Sequence, residues 1–212
     1  MTGSENYLLG ANSLAGRLNE DWLIIDTRFD LGAPEAGRNA YLEGHIPGAV
    51  YAHLDKDLSG NSQTDCGRHP MPAPEVIQTR FAALGVSDAS RVVIYDDSGG
   101  MIAARAWWML RYIGHKQVFL LDGGWAAWLA GGYKQASGEE SQSAGSLGLT
   151  VNESRLVVHS ALGSVDLLVD GREARRYRGE FEPIDPRAGH IPGAKNHFFG
   201  NNLNANKVLR SS

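Results

Sequence analysis

Apolar residues in this chain come in two rhythms. Leu23-Ile24-Ile25, Val92-Val93-Ile94-Tyr95 and Val118-Phe119-Leu120-Leu121 are short unbroken runs bounded by polar residues, which predicts strands buried on both faces. Val50 to His53 suggests a further strand. Between the runs, Val76, Ile77, Phe81 and Leu84 fall at helical spacing behind Pro72-Ala73-Pro74 and ahead of Gly85, a helix with proline at its start and glycine at its end. Ala103 to Ile113 reads as a helix stopped by Gly114, Trp125 to Ala130 as a shorter one, and the first helix begins at a cap near Asn12 or Ser13. Strands alternating with helices argue for an α/β fold with a parallel sheet flanked by helices.

From Tyr133 to Thr150 the composition turns to Gly, Ser, Gln and Glu, which predicts a flexible linker. The pattern then restarts, with a short helix around His159 to Leu162 and a strand over Leu167 to Asp170. Residues Arg172 to Arg187, with Pro183 and Pro186, read as a loop after a brief helical turn, and the tail from Asn201 is polar. The restart is a duplication. Gly44-His45-Ile46-Pro47-Gly48-Ala49 recurs as Gly189-His190-Ile191-Pro192-Gly193-Ala194, and each copy follows an apolar run ending in Asp-x-Arg: Asp26-Thr27-Arg28, then Asp170-Gly171-Arg172. His45 and His190 stand 145 residues apart, a domain-sized period. The expectation is one complete module over residues 7–132, a linker over 133–150 and an incomplete second module over 151–212. By the same period the second copy of the Tyr95–Gly100 loop would fall beyond Ser212, so the second module offers two strands at most and leaves sheet edges open.

Composition narrows the function. The chain is 42% hydrophobic and 21% charged with a net charge of −4, which offers no basic field for nucleic acid. No apolar run is long enough for a membrane helix and the first residues lack a secretory pattern, so a cytoplasmic location is expected. One cysteine, Cys66, excludes an internal disulfide and a cysteine-based metal cluster; no metal and no cofactor are expected.

The Asp-x-Arg strand ends, the doubled Gly-His-Ile-Pro-Gly-Ala turn, the Val-Val-Ile-Tyr strand feeding a glycine loop, Arg105-Ala106-Trp107-Trp108-Met109-Leu110 and Asp122-Gly123-Gly124-Trp125 together resemble the tandem-domain rhodanese family, the thiosulfate and 3-mercaptopyruvate sulfurtransferases. The resemblance implies a rhodanese-like parallel sheet. It also implies a catalytic cysteine in a loop wrapped onto a helix N-terminus, where backbone N–H groups favour the thiolate. That thiolate takes sulfur from a small anionic donor as a persulfide and passes it to cyanide or a thiol. Asp96, followed by Asp97, Ser98, Gly99 and Gly100, occupies the cysteine position of the first module, as in the catalytically silent N-terminal domains of that family. Arg176 in Arg176-Tyr177-Arg178-Gly179 and, more loosely, Arg187 match its donor-binding arginines; guanidinium recognises oxyanions through paired hydrogen bonds. The implied chain is a sulfurtransferase-family protein with little or no turnover in this 212-residue form. The alternative is a non-catalytic rhodanese-like binding or regulatory protein that uses the Asp97–Gly100 loop. The sequence leaves donor, acceptor and oligomeric state open.

Other residues read as structural. Cys66 has Arg68 and His69 nearby but no strand before it and no helix after it, so a loop cysteine is the expectation and a persulfide carrier the competing one. His45 and His190 are expected to hold their turns, Asp26 and Asp170 to fix strand ends, and Arg28 and Arg172 to pair with carboxylates. Asp96 and Asp97 could suggest phosphotransfer, but no Walker loop and no Cys-x5-Arg loop is present. Trp107 and Trp108 cannot share one helix face, so one of them is expected to be covered by the second module.

Overall fold

The Val92–Tyr95 run lies at the centre of the molecule. In the computed structural model, which describes residues 7–18, 20–61 and 67–210, five parallel strands form one sheet. They are β1 (Leu8–Gly10), β2 (Trp22–Asp26), β3 (Ala49–Tyr51), β4 (Arg91–Tyr95) and β5 (Val118–Asp122), in spatial order β1-β5-β4-β2-β3. Helices α1 (Ala11–Ala15), α2 (Ala36–Glu43), α3 (Pro74–Ala83), α4 (Ala103–Tyr112) and α5 (Gly124–Ala130) complete the first module.

Strand periodicity divides the core. Val92 and Ile94 of β4 face Ile77 and Phe81 of α3 and Ala106, Met109 and Leu110 of α4. Val93 and Tyr95 face the other way, toward Leu14 of α1, Trp128 of α5 and Ile46. Alternate residues of a strand point to opposite faces, and helices on both faces explain why Leu23–Ile25 of β2 and Val92–Tyr95 of β4 are unbroken apolar runs. The sheet with its flanking helices matches the expected α/β class. β1 and α2 were not legible as elements, and β3 is shorter than the Val50–His53 run.

The 133–150 segment departs from the expectation of a flexible linker. It lies along the first module as a strap. Ala136 pairs with His45 in an antiparallel bridge, Gly138 N–H donates to the Leu42 carbonyl, and Gly145 N–H donates to the Ala82 carbonyl. Gln78 Nε2 donates to the Leu147 carbonyl at 2.6 Å, and Leu147 is buried in the core. A polar segment can be fixed in place when its backbone finds partners, which composition alone does not reveal. Trp107 and Trp108 also find their partners within the first module. Trp107 Nε1 donates to the Val118 carbonyl at 3.0 Å and its ring meets Tyr7 edge-on, while Trp108 stacks on Tyr112.

Beyond the strap, β6 (Val169–Asp170) and β7 (Lys195–Asn196) form a two-stranded parallel sheet, with a short helix α6 (Ala174–Tyr177) between them. β6 covers only the end of the expected Leu167–Asp170 strand. Residues His159–Ser164 and Phe199–Asn202 are 3₁₀ turns. The polar tail is structured as well: Leu203 and Leu209 form an antiparallel bridge closed by Asn204 N–H to the Val208 carbonyl. Cys66 lies outside the described residues.

Candidate active site

The carboxyl ends of parallel strands are where α/β folds place their chemistry. At the end of β4 the chain enters the Asp96–Gly100 loop, and Gly99 and Gly100 take φ of 79° and 90°. These left-handed conformations favour glycine and let the loop curl back on itself. Its interior is filled by the Asp96 carboxylate, which is buried. Oδ1 accepts from Ser98 N–H (3.0 Å) and Gly100 N–H (2.8 Å), and Oδ2 accepts from Ile102 N–H (2.8 Å) and Ala103 N–H (3.0 Å). The last two groups open α4, so the carboxylate also sits at the positive end of a helix.

The Asp122-Gly123-Gly124-Trp125 phrase explains how the neighbouring helix reaches this loop. A Cβ on Gly124 would collide with the Asp96 carbonyl oxygen, and with no side chain there Trp125 N–H donates to that oxygen at 2.8 Å. Over the loop lies the bridged tail. Lys207 Nζ donates to the Asp97 carbonyl (2.7 Å) and Leu209 N–H to Asp122 Oδ1 (2.9 Å). Leu203 Cδ1 occupies the space a side chain on Gly99 would need. The four amides are thus engaged by the protein's own carboxylate, and the outer side of the loop is covered.

The doubled turn is the same structure twice. In the first copy Arg28 is forked onto Asp26 (Nη2 to Oδ2, 2.7 Å) and also donates to the Gly44 carbonyl (2.6 Å). In the second, Arg172 does the same with Asp170 (2.6 Å) and the Gly189 carbonyl (2.6 Å). His45 Nδ1 donates to the Tyr41 carbonyl (2.8 Å), His190 Nδ1 to the Tyr177 carbonyl (2.7 Å), and each imidazole stacks on its tyrosine. Both histidines therefore hold turns, and both Asp–Arg pairs fix strand ends. They differ in burial: Asp26 and Arg28 are 0% and 3% exposed, Asp170 and Arg172 12% and 30%. Burial pushes the Asp26 carboxyl up against the pull of Arg28, whereas the hydrogen bond from Arg172 holds the Asp170 carboxyl below its usual range.

Arg176 lies at the end of α6 and grips Glu182 through Nε (3.1 Å) and Nη2 (2.7 Å), with Asp185 Oδ2 at 3.0 Å. Its hydrogen bond holds the Glu182 carboxyl at about 2. Asp185 also receives Arg68 Nη2 at 2.6 Å from the first module, and Arg68 donates to the Ile184 carbonyl at 3.0 Å. His69, beside Arg68, pairs with Asp55 at 2.9 Å. One carboxylate therefore lies between the Arg68 and Arg176 guanidiniums. Arg187 is exposed, on the same loop as Asp185. In the sequence Arg68 stands out only as a neighbour of Cys66; its reach to Asp185, 117 residues away, is a tertiary contact that no local motif records. Among the described residues no group of three or more His, Cys, Asp or Glu could hold a metal, and no helix is long and apolar enough to cross a membrane.

Comparison with known proteins agrees with this geometry. The profile of the family described as "Rhodanese-like domain" matches residues 10–131. A Pseudomonas aeruginosa protein named "Probable 3-mercaptopyruvate sulfurtransferase" is 45% identical over 94% of this chain and 73% of its own length. The 3-mercaptopyruvate sulfurtransferase of Escherichia coli K12 is 31% identical over 91% of this chain and 71% of its own. Among solved structures, the 3-mercaptopyruvate sulfurtransferase from Leishmania major superposes with a TM-score of 0.87 at 27% identity, over 99% of this chain and 60% of that one. SseA from Escherichia coli gives 0.85 at 29% identity, over 97% and 79%. The chain thus spans between 60% and 79% of these proteins. With the family model matching more than half of the chain and relatives this similar over most of its length, the chain belongs to the rhodanese-like family.

Proposed function

We propose that the chain serves sulfane-sulfur transfer, from a small anionic donor of the thiosulfate or 3-mercaptopyruvate kind to a thiol or cyanide, and that its first module takes no part in the covalent step. The observation that carries this reading is the Asp96 carboxylate held by four backbone N–H groups. A thiolate in such a loop would be held ionised. Its attack on the sulfane sulfur forms an S–S bond while the bond to the rest of the donor breaks, and the leaving sulfite, or the enolate of pyruvate, keeps the electron pair. The acceptor then attacks the outer sulfur of the persulfide and the thiolate is restored. A carboxylate supplies the same charge without a sulfur nucleophile, so the carrier thiol has to stand elsewhere than in this loop.

Donor recognition rests in this reading on Arg176 and Arg187. Arg176 is held in forked geometry by Glu182 and touched by Asp185, and in this reading the donor's oxyanion takes the place of Asp185 on the guanidinium. The names of the relatives support the same donor class. The test is turnover of thiosulfate and of 3-mercaptopyruvate with cyanide by the 212-residue protein, expected to stay at the level of buffer. Calorimetry should show thiosulfate binding weakened about tenfold in Arg176→Ala, the loss of one charge-assisted contact. Robust turnover overturns the silent assignment, and turnover that disappears in Cys66→Ser names the lone thiol as carrier instead.

A further inference from the structure

At the end of the sheet opposite Asp96, the turn between α4 and β5 faces the strap and the Glu153–Arg155 turn across a cavity of about 530 Å³. A second cavity of about 460 Å³ adjoins it and shares Gly114, His115, Lys116 and Thr150. We propose that this cavity is a binding site for a small oxyanion, separate from the donor arginines.

Charge argues for it first. In a chain of net charge −4, the larger cavity gathers Arg111, Lys116 and Arg155 against a single acid, Glu153. Asp88 lies in the adjoining cavity, where its Oδ1 accepts from Gly148 N–H at 2.7 Å. Hydrogen bonding argues for it second. Arg155 Nε and His115 Nε2 are buried and neither has a partner. Buried polar groups are as a rule satisfied, so both atoms are open to a partner of complementary chemistry. His115 is 5% exposed; burial pushes its imidazole down, against the pull of the Gln117 and Ser90 backbone, and its Nε2 serves an anion as a donor when the ring carries a proton there.

The walls are braced by backbone contacts. Gly114 has φ of 96°, and a Cβ there would collide with the Thr150 carbonyl oxygen. Thr150 N–H donates to the Ile113 carbonyl (3.0 Å) and Asn152 N–H to the Tyr112 carbonyl (2.8 Å). Arg111 is held by the Lys116 carbonyl (3.0 Å) and by the Tyr7 hydroxyl and ring. Such a site needs little reorganisation to bind. A tetrahedral or planar oxyanion with several acceptor oxygens fits the orphaned Arg155 Nε–H among cationic heads better than a cation or an apolar molecule.

Inorganic phosphate serves as the probe. It is titrated calorimetrically into the 212-residue protein at ionic strength fixed with sodium chloride, while NMR follows the His115 imidazole resonances. Saturable one-to-one binding that shifts His115 is expected, with Arg155→Ala and Lys116→Ala each weakening it about tenfold and Arg176→Ala leaving it unchanged. Absence of saturable heat overturns the proposal. So does binding that survives both cavity variants, or binding that is lost only in Arg176→Ala, which would assign phosphate to the donor arginines.

Discussion

Asp96→Ala tests the central feature of the first module. The substitution removes one carboxylate and strands four N–H donors. Those of Ile102 and Ala103 are buried, whereas those of Ser98 and Gly100 are partly exposed and can turn to water. A buried donor left unsatisfied costs about 1–3 kcal/mol, so the two buried amides set an expected loss of about 4 kcal/mol. That is a large share of a typical domain's stability of about 5–15 kcal/mol. Urea unfolding followed by tryptophan fluorescence reads it, since Trp125 N–H bonds the Asp96 carbonyl. Asp96→Cys in a Cys66→Ser background separates charge from shape. Only the thiolate replaces the lost acceptor well, so the folded thiol should titrate well below the ordinary value of about 8.5. A folded pKa below the unfolded one gives stability that is complete above about pH 8.5 and is lost as pH falls through the folded value. The cysteine variant should therefore approach the parent protein in alkaline buffer and the alanine variant in acid. A loss below about 1 kcal/mol in Asp96→Ala, or an ordinary thiol titration in Asp96→Cys, refutes the reasoning.

The two Asp–Arg pairs share a geometry and differ in burial, so Asp26→Asn should cost about 3–5 kcal/mol and Asp170→Asn about 1 kcal/mol in parallel urea denaturations; equal losses would deny burial its role. Gly124→Ala forces a Cβ onto the Asp96 carbonyl oxygen and should cost at least about 2 kcal/mol, seen as a lower melting temperature, while a neutral outcome contradicts the close approach. Glu182 should titrate at about 2 rather than 4.5: its carboxyl is depressed by Arg176, so its contribution to stability is complete above pH 4.5 and is lost as pH falls toward about 2. An NMR titration of its side-chain carboxyl carbon checks this, and a midpoint near 4.5 dismisses the pairing.

Strands and helices with strong periodicity were legible because burial on both faces leaves no choice of residue type: β2, β4, β5, α3 and α4 fall within a residue or two of the runs that announced them. β1, with Leu8 and Leu9 at the sheet edge, is too short to show a period. α2 has only Gly37 and Tyr41 buried, so its apolar stripe is nearly absent. The strap is held largely through its own backbone N–H and carbonyl groups, with Leu147 as a buried anchor, and those bonds are invisible to composition. In the site, Asp96 could be placed from its position after the strongest strand, and the turn histidines from their repetition. Arg68 could not, because its partner Asp185 is 117 residues away and the contact exists only once both modules have folded.

The second copy of the turn explains how one design yields two different surfaces. In both copies the arginine at the strand end donates to the carbonyl of the glycine before the histidine, 16 residues on in the first and 17 in the second. The loop from strand to turn is thus nearly constant in length. What changes is where the helix falls within it. In the first copy α2 comes late, and Tyr41 is four residues before His45. In the second, α6 comes early, and Tyr177 is thirteen residues before His190. Each tyrosine still stacks on its histidine and still donates its hydroxyl to the carbonyl of the closing alanine, at 2.9 Å in both. The tyrosine can be supplied from either side because the turn requires only a ring and two oxygen contacts at that place. Moving the helix forward releases residues 178–188 as an irregular loop, and that loop carries Glu182, Asp185 and Arg187 beside Arg176. The same strand end and turn that brace the first module therefore present charged groups in the second, and the difference lies in the order of helix and loop rather than in the repeated hexapeptide.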